Sequence, residues 1–266
     1  MSTQPSPQPP TSRRARRAAE RRAESPAQRA GPARTGRSPI LLITVIVGGL
    51  GVVLLGALVL LQSGPTKVDT STLLSPSTQT PVALADGRSV GKADAPVTLD
   101  VWSDFQCPAC GELARTVEPL LVDRYVTAGT LRIVYHDAAF QGAKSNAPYD
   151  ESVEAAAGAR CAADQNRYWP FQDWTFANQA GENKGAFDAG RLKAIATAAG
   201  LDLTAWDACL ATGQQQAAVR AETKQAVADG VDSTPTMILN GQKFVGLHGV
   251  TELGALIEAA AAAAGG

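Results

Sequence analysis

The chain has 266 residues, 18% of them charged, and a formal net charge of -1. That near-neutral total hides a division: residues 1–39 carry nine Arg against Glu20 and Glu24, net +7, and the remainder carries -8. An acidic main body argues against nucleic acid as a partner, since it would repel the phosphate backbone.

Residues 1–39 are rich in Pro, Ser, Ala and Arg without apolar periodicity, and such a segment cannot bury enough surface to offset its ordering entropy. They are expected to be a disordered basic tail. Residues 40–61 form an uncharged apolar run of 22 residues. As a helix this run would be about 33 Å long, enough to cross a bilayer. The basic flank before it keeps the N-terminus cytoplasmic and sends the remainder outward. Gln62-Ser63-Gly64-Pro65 offers no small-residue cleavage site, so an uncleaved signal anchor is expected. The Ser/Thr/Pro-rich stretch 62–90 reads as a linker.

The texture changes at Pro96. Val97-Thr98-Leu99-Asp100-Val101-Trp102 is a β-branched run of strand length. Residues 108–128 then show helical spacing (Leu113, Val117, Leu120, Leu121, Tyr125), and 130–135 read as a second strand. A connection of that length makes the two strands parallel in a βαβ unit. Residues 151–230 are Ala-rich, with helices expected near 151–166, 169–179, 188–199, 203–212 and 215–229. Their aromatic cluster (Tyr168, Trp169, Phe171, Trp174, Phe176) reads as helix-packing core. Asn240-Gly241 marks a hairpin between strands 236–239 and 242–245, and a helix over 251–263 closes the chain. The fold class is α/β, with a helical insertion at about 146–230 inside a domain spanning 91–263.

Cys107-Pro108-Ala109-Cys110 lies directly after a strand, at a helix start. Unpaired N–H groups and the positive helix end stabilise a thiolate on Cys107. Pro108 suits the first helical position, where its missing N–H costs nothing. The spacing lets Cys110 resolve a mixed disulfide on Cys107, with Cys107 expected to be the exposed attacking thiol. Zinc would need two further ligands. The only histidines are His136 and His248, and no second CxxC exists, so no metal or other cofactor is expected. Cys161 and Cys209 lie on apolar helix faces and could be reduced core residues. An extracytoplasmic location and an even cysteine count favour a structural disulfide between them.

Ser103 through Cys110, the run Val90-Gly91-Lys92-Ala93-Asp94-Ala95-Pro96-Val97, and Gly230 through Thr236 together resemble the DsbA-like branch of the thioredoxin superfamily. The resemblance covers roughly residues 82–263. It implies a thioredoxin fold with a helical insertion, here preceded by one transmembrane helix, and a cis Thr234–Pro235 peptide facing the cysteine pair. It also implies thiol–disulfide exchange with unfolded or reduced secreted proteins, and a membrane redox partner that is DsbB-like or of the vitamin K epoxide reductase type. A disulfide reductase and a redox-idle binding module are the alternatives. Relatives often carry a buried acid six positions before the first cysteine, where this chain has Val101. Asp100 lies one residue earlier and so points to the opposite strand face. Asp104 lies nearer the motif and reads equally as a solvated turn residue or as a group that assists proton transfer.

Overall fold

The computed structural model describes residues 68–142 and 149–265. The tail 1–39 and the expected anchor 40–61 lie outside the described residues. Among the described residues no helix is long and apolar enough to cross a membrane.

Six strands form one mixed sheet in the order β1-β2-β4-β3-β5-β6. They are β1 (Ala85–Asp86), β2 (Ser89–Val90), β3 (Val97–Ser103), β4 (Leu131–Asp137), β5 (Thr236–Leu239) and β6 (Gln242–Val245). β3 is central, pairing parallel with β4 and antiparallel with β5. Its register sets Val97, Leu99 and Val101 beside Leu131, Ile133 and Tyr135, all buried, so one strand parity from each strand feeds the core. The Asn240-Gly241 turn has both residues at positive φ, 43° and 90°, as a two-residue hairpin requires.

The helical stretch after Cys107 is less regular than the expected single helix over 108–128. α1 (Pro108–Glu112) and α2 (Glu118–Leu121) are separated by a π-helical segment Leu113–Val117, and a second one, Val122–Val126, follows. Pro119 has no N–H to give, so the ladder cannot keep a uniform register through this point. Five helices make the insertion between β4 and β5: α3 (Glu151–Ala163), α4 (Tyr168–Ala177), α5 (Ala189–Ala198), α6 (Leu203–Ala211) and α7 (Gln214–Ala228). Asp150, Asp188 and Asp202 cap three of them, each accepting a backbone N–H of the first turn. α8 (Val250–Gly265) returns against α2 and β3.

Part of the stretch expected as linker, 62–90, belongs to the folded body. β1 and β2 join the sheet edge, and Gly87, at φ 55°, opens the two-residue turn between them. Two-residue strands leave too little pattern to read, although Asp86-Gly87 is a hairpin signal. The buried Trp169 indole donates to Ser89 O at 2.9 Å and pins this hairpin to α4. Upstream, Leu74 N–H donates to Asn178 Oδ1 and Leu74 O accepts from Asn178 Nδ2, both at 2.9 Å. Thr80 N–H reaches Asp173 at 2.8 Å. Segment 74–80 is therefore a strap across α4.

Cys161 on α3 and Cys209 on α6 are joined by a disulfide across 48 residues. Beside it, Gly158 lets the two helices approach: a Cβ there would meet Phe171 Cζ at 3.0 Å and Trp206 Cζ2 at 3.1 Å. The Trp206 indole uses the same opening to donate to Gly158 O at 2.9 Å.

Candidate active site

Strand β3 ends at Ser103, and the chain turns through Asp104-Phe105-Gln106 into α1. Cys107 is the N-cap of that helix with extended backbone (φ -71°, ψ 122°), and Pro108 occupies the first helical position. Gly111 N–H donates to Cys107 O at 3.1 Å, closing the first turn. Cys110 lies within that turn. Both cysteines are free thiols.

Cys107 is not the exposed residue expected: it is 4% accessible, against 1% for Cys110. The cause is the loop before β5. Thr234–Pro235 is a cis peptide there, and the Cys107 thiol donates to Thr234 O at 3.3 Å. Gly246 N–H donates to Pro235 O at 2.8 Å, tying the β6–α8 turn to the same loop. Thr234 and Pro235 thus stand against the cysteine pair, with Pro108 and Ala109 forming the helix turn below.

The two thiols are driven apart electrostatically. The Cys110 thiol, as hydrogen-bond donor, lowers Cys107 to about 5 against the opposing effect of burial, and the N–H groups of Cys110 and Ala109 add to it. Burial pushes Cys110 well above an ordinary thiol, and the neighbouring Cys107 pushes it further. One sulfur is therefore set to carry charge and the other to keep its proton. That division suits a nucleophile paired with a resolving thiol.

Asp104 is buried rather than solvated. Its carboxylate accepts from Gln106 N–H and Gln141 N–H, each at 2.8 Å, and from Ser152 Oγ at 2.7 Å. Burial raises it to about 6 despite these bonds, and the Cys107 charge adds to the rise. Gln106 Nε2 donates to Ser152 at 2.9 Å, and Gln179 Nε2 donates to the carbonyls of Phe105 at 2.6 Å and Cys107 at 3.0 Å. The loop entering α1 is thus fixed by residues of the helical insertion. Sequence reasoning missed this set, because backbone and side-chain groups 37 to 74 residues away complete it.

Asp100 lies away from the cysteines and bonds His136 Nε2 at 2.8 Å. His136, a loop residue by its sequence position, lies in β4 instead and joins a cluster with Glu222, which also binds Arg88 at 2.8 Å and Arg160. Next to Val101 in register is Tyr135, whose hydroxyl donates to the buried Glu118. Burial raises Glu118 to about 8. A buried carboxyl is thus supplied by α2, held between Tyr135 of β4 and Gln172 of α4. His248 bonds Glu252 at 2.9 Å and belongs to no cysteine contact. Among the described residues no group of three or more His, Cys, Asp or Glu could hold a metal ion.

The sequence profile of the Thioredoxin family matches residues 84–259. The "Na(+)/H(+) antiporter NhaA 3" of Salinispora tropica is 29% identical over 174 residues, which cover 65% of this chain and 24% of the antiporter. The "Probable disulfide bond formation protein D" of Bacillus cereus is 35% identical over 98 residues, 36% of this chain and 43% of that protein. The chain thus spans less than half the length of these curated relatives. Among solved structures, BdbD from Bacillus subtilis (oxidised) superposes with a TM-score of 0.57 at 20% identity, over 70% of this chain and 98% of that one. DsbA from Mycobacterium tuberculosis (reduced) gives 0.54 at 27% identity, over 67% and 99%. Given a family match that runs from the edge hairpin to the last helix, the chain belongs to the Thioredoxin family, and its solved structural neighbours are DsbA- and BdbD-type proteins.

Proposed function

We propose that this protein is a membrane-tethered, extracytoplasmic oxidoreductase that introduces disulfides into secreted proteins through the Cys107–Cys110 couple. The observation that carries the reading is the opposed tuning of the two thiols, with Cys107 lowered to about 5 and Cys110 raised. A reduced form stabilised as the Cys107 thiolate gives up its electrons reluctantly, so the oxidised form is a strong disulfide donor. A substrate thiolate attacks Cys107 Sγ, the Cys107–Cys110 bond breaks, and a mixed disulfide forms at Cys107. A second substrate thiolate then attacks the substrate sulfur. Cys107 leaves as a thiolate, so the substrate has lost two electrons and the couple has gained them.

Thr234 and Pro235 stand where an extended substrate segment would pair beside Cys107. The Cys161–Cys209 disulfide fits an oxidising compartment. Residues 40–61 would hold the domain at the membrane. There a DsbB-like or vitamin K epoxide reductase-like partner would reoxidise the couple at high effective concentration.

The test mixes oxidised protein with a reduced, unfolded multi-cysteine protein and follows disulfide formation. Cys107→Ser should slow it at least about a hundredfold, since the thiolate is the reacting group. Undiminished activity in Cys107→Ser would refute the assignment.

A further inference from the structure

Ser103 closes β3, and its Oγ is buried without a hydrogen bond to any described residue. An unsatisfied buried hydroxyl weakens a fold, so its presence at this position calls for a cause. Beside it lies the Cys110 sulfur. The Ser103 hydroxyl and the Asp104 N–H both face that sulfur and favour negative charge on it, while Cys107 opposes that charge. Tyr135 is within electrostatic reach of the same sulfur from β4.

We propose that Ser103 Oγ–H and Asp104 N–H form a thiolate-binding pocket for Cys110, filled only while Cys110 is the leaving or attacking sulfur. The proposal deepens the exchange reading above and rests on it. When a substrate thiolate attacks Cys107 Sγ, a substrate–Cys107 S–S bond forms and the Cys107–Cys110 bond breaks. Its electron pair goes to Cys110 Sγ, which appears as an anion in a site that is 1% accessible. A fixed donor counts most where charge develops away from water. Ser103 keeps its proton and donates a hydrogen bond. The proton given up when the substrate thiol ionised then returns to Cys110. In the reverse step the same donors ease ionisation of Cys110 as the attacking group. This makes Ser103 a catalytic residue, in contact with a reacting atom, and explains why its hydroxyl has no partner while Cys110 is a thiol.

The test uses Ser103→Ala and Ser103→Thr in the full chain. In a Cys107→Ser background, the 13C shift of labelled Cys110 is followed against pH. Ser103→Ala should move the Cys110 titration up by about one pH unit, the loss of one hydrogen bond to a charged group. With Cys107 present, oxidised Ser103→Ala should react with a small thiol about tenfold more slowly than wild type. Ser103→Thr, which keeps the hydroxyl, should recover both. Ser103→Ala should also melt about 2–4 °C higher, because an unsatisfied hydroxyl has gone. A merely structural serine would give a lower Tm. An unchanged Cys110 titration with an unchanged rate overturns the proposal. Wild type that fails to react with thiols would sink the exchange reading instead, while the titration still decides the role of Ser103.

Discussion

With Cys107 lowered to about 5, the reduced couple carries a thiolate at neutral pH. An ordinary cysteine titrates near 8.5. The rate of alkylation at Cys107 in reduced protein should therefore rise through pH about 5 and be flat by pH 7. A midpoint above 8 would show that the helix start and the Cys110 thiol do not stabilise it. Cys110→Ser should trap the mixed disulfide with substrate, visible as a covalent adduct released by dithiothreitol. The cysteine pair was legible because the whole motif is contiguous and its position after a strand explains its reactivity. Ser103, Asp104 and Glu118 were not, because burial gives each its character and the partners of Asp104 and Glu118 lie elsewhere in the chain. Asp104 looks like a turn residue until Gln141 and Ser152 close over it. Glu118 looks like a surface helix residue until Tyr135 and Gln172 reach it.

At the scale of elements, two devices hold the helical insertion. The Cys161–Cys209 disulfide closes a 48-residue loop, which on the chain-entropy model stabilises by about 4 kcal/mol. The double variant Cys161→Ser/Cys209→Ser should lose about 2–4 kcal/mol in denaturant unfolding and keep its exchange chemistry, since neither residue touches Cys107. The second device joins β4, α3 and α7 through His136, Arg160 and Glu222. Burial alone would lower His136, but its bonds to Asp100 and Glu222 carry it up to about 9. A folded pKa above the unfolded value of 6.5 gives stability that is full below pH 6.5 and lost as pH rises through 9. Melts of the oxidised protein remove the cysteine titrations, and comparison with a His136 variant cancels those of Glu118 and Asp173. The Tm advantage of wild type over His136→Gln should shrink by about 3 °C between pH 6 and 9.5. A constant difference would remove His136 from this role. Helix existence and order were readable from Ala-rich periodicity and from the punctuating glycines. The β1–β2 hairpin was not, since four paired residues carry no period, and the π segments around Pro119 were not, since apolar spacing does not report ladder register.

At the scale of the whole molecule, the proposed membrane tether rests on the charge division and on the 22-residue apolar run of 40–61. The similarity to the Salinispora tropica antiporter covers 24% of that protein, so related domains occur within larger chains. Fold class followed from strand order and the insertion, while redox direction did not, because Pro108 and Ala109 do not by themselves set a potential. The proposed oxidase direction rests on the stabilised Cys107 thiolate. The decisive measurement is the reduction potential of the Cys107–Cys110 couple, equilibrated against glutathione buffers. A disulfide donor should lie at or above about -180 mV, toward the roughly -120 mV of a strong oxidant. A value near -270 mV, about that of a thioredoxin reductant, would contradict the oxidase assignment.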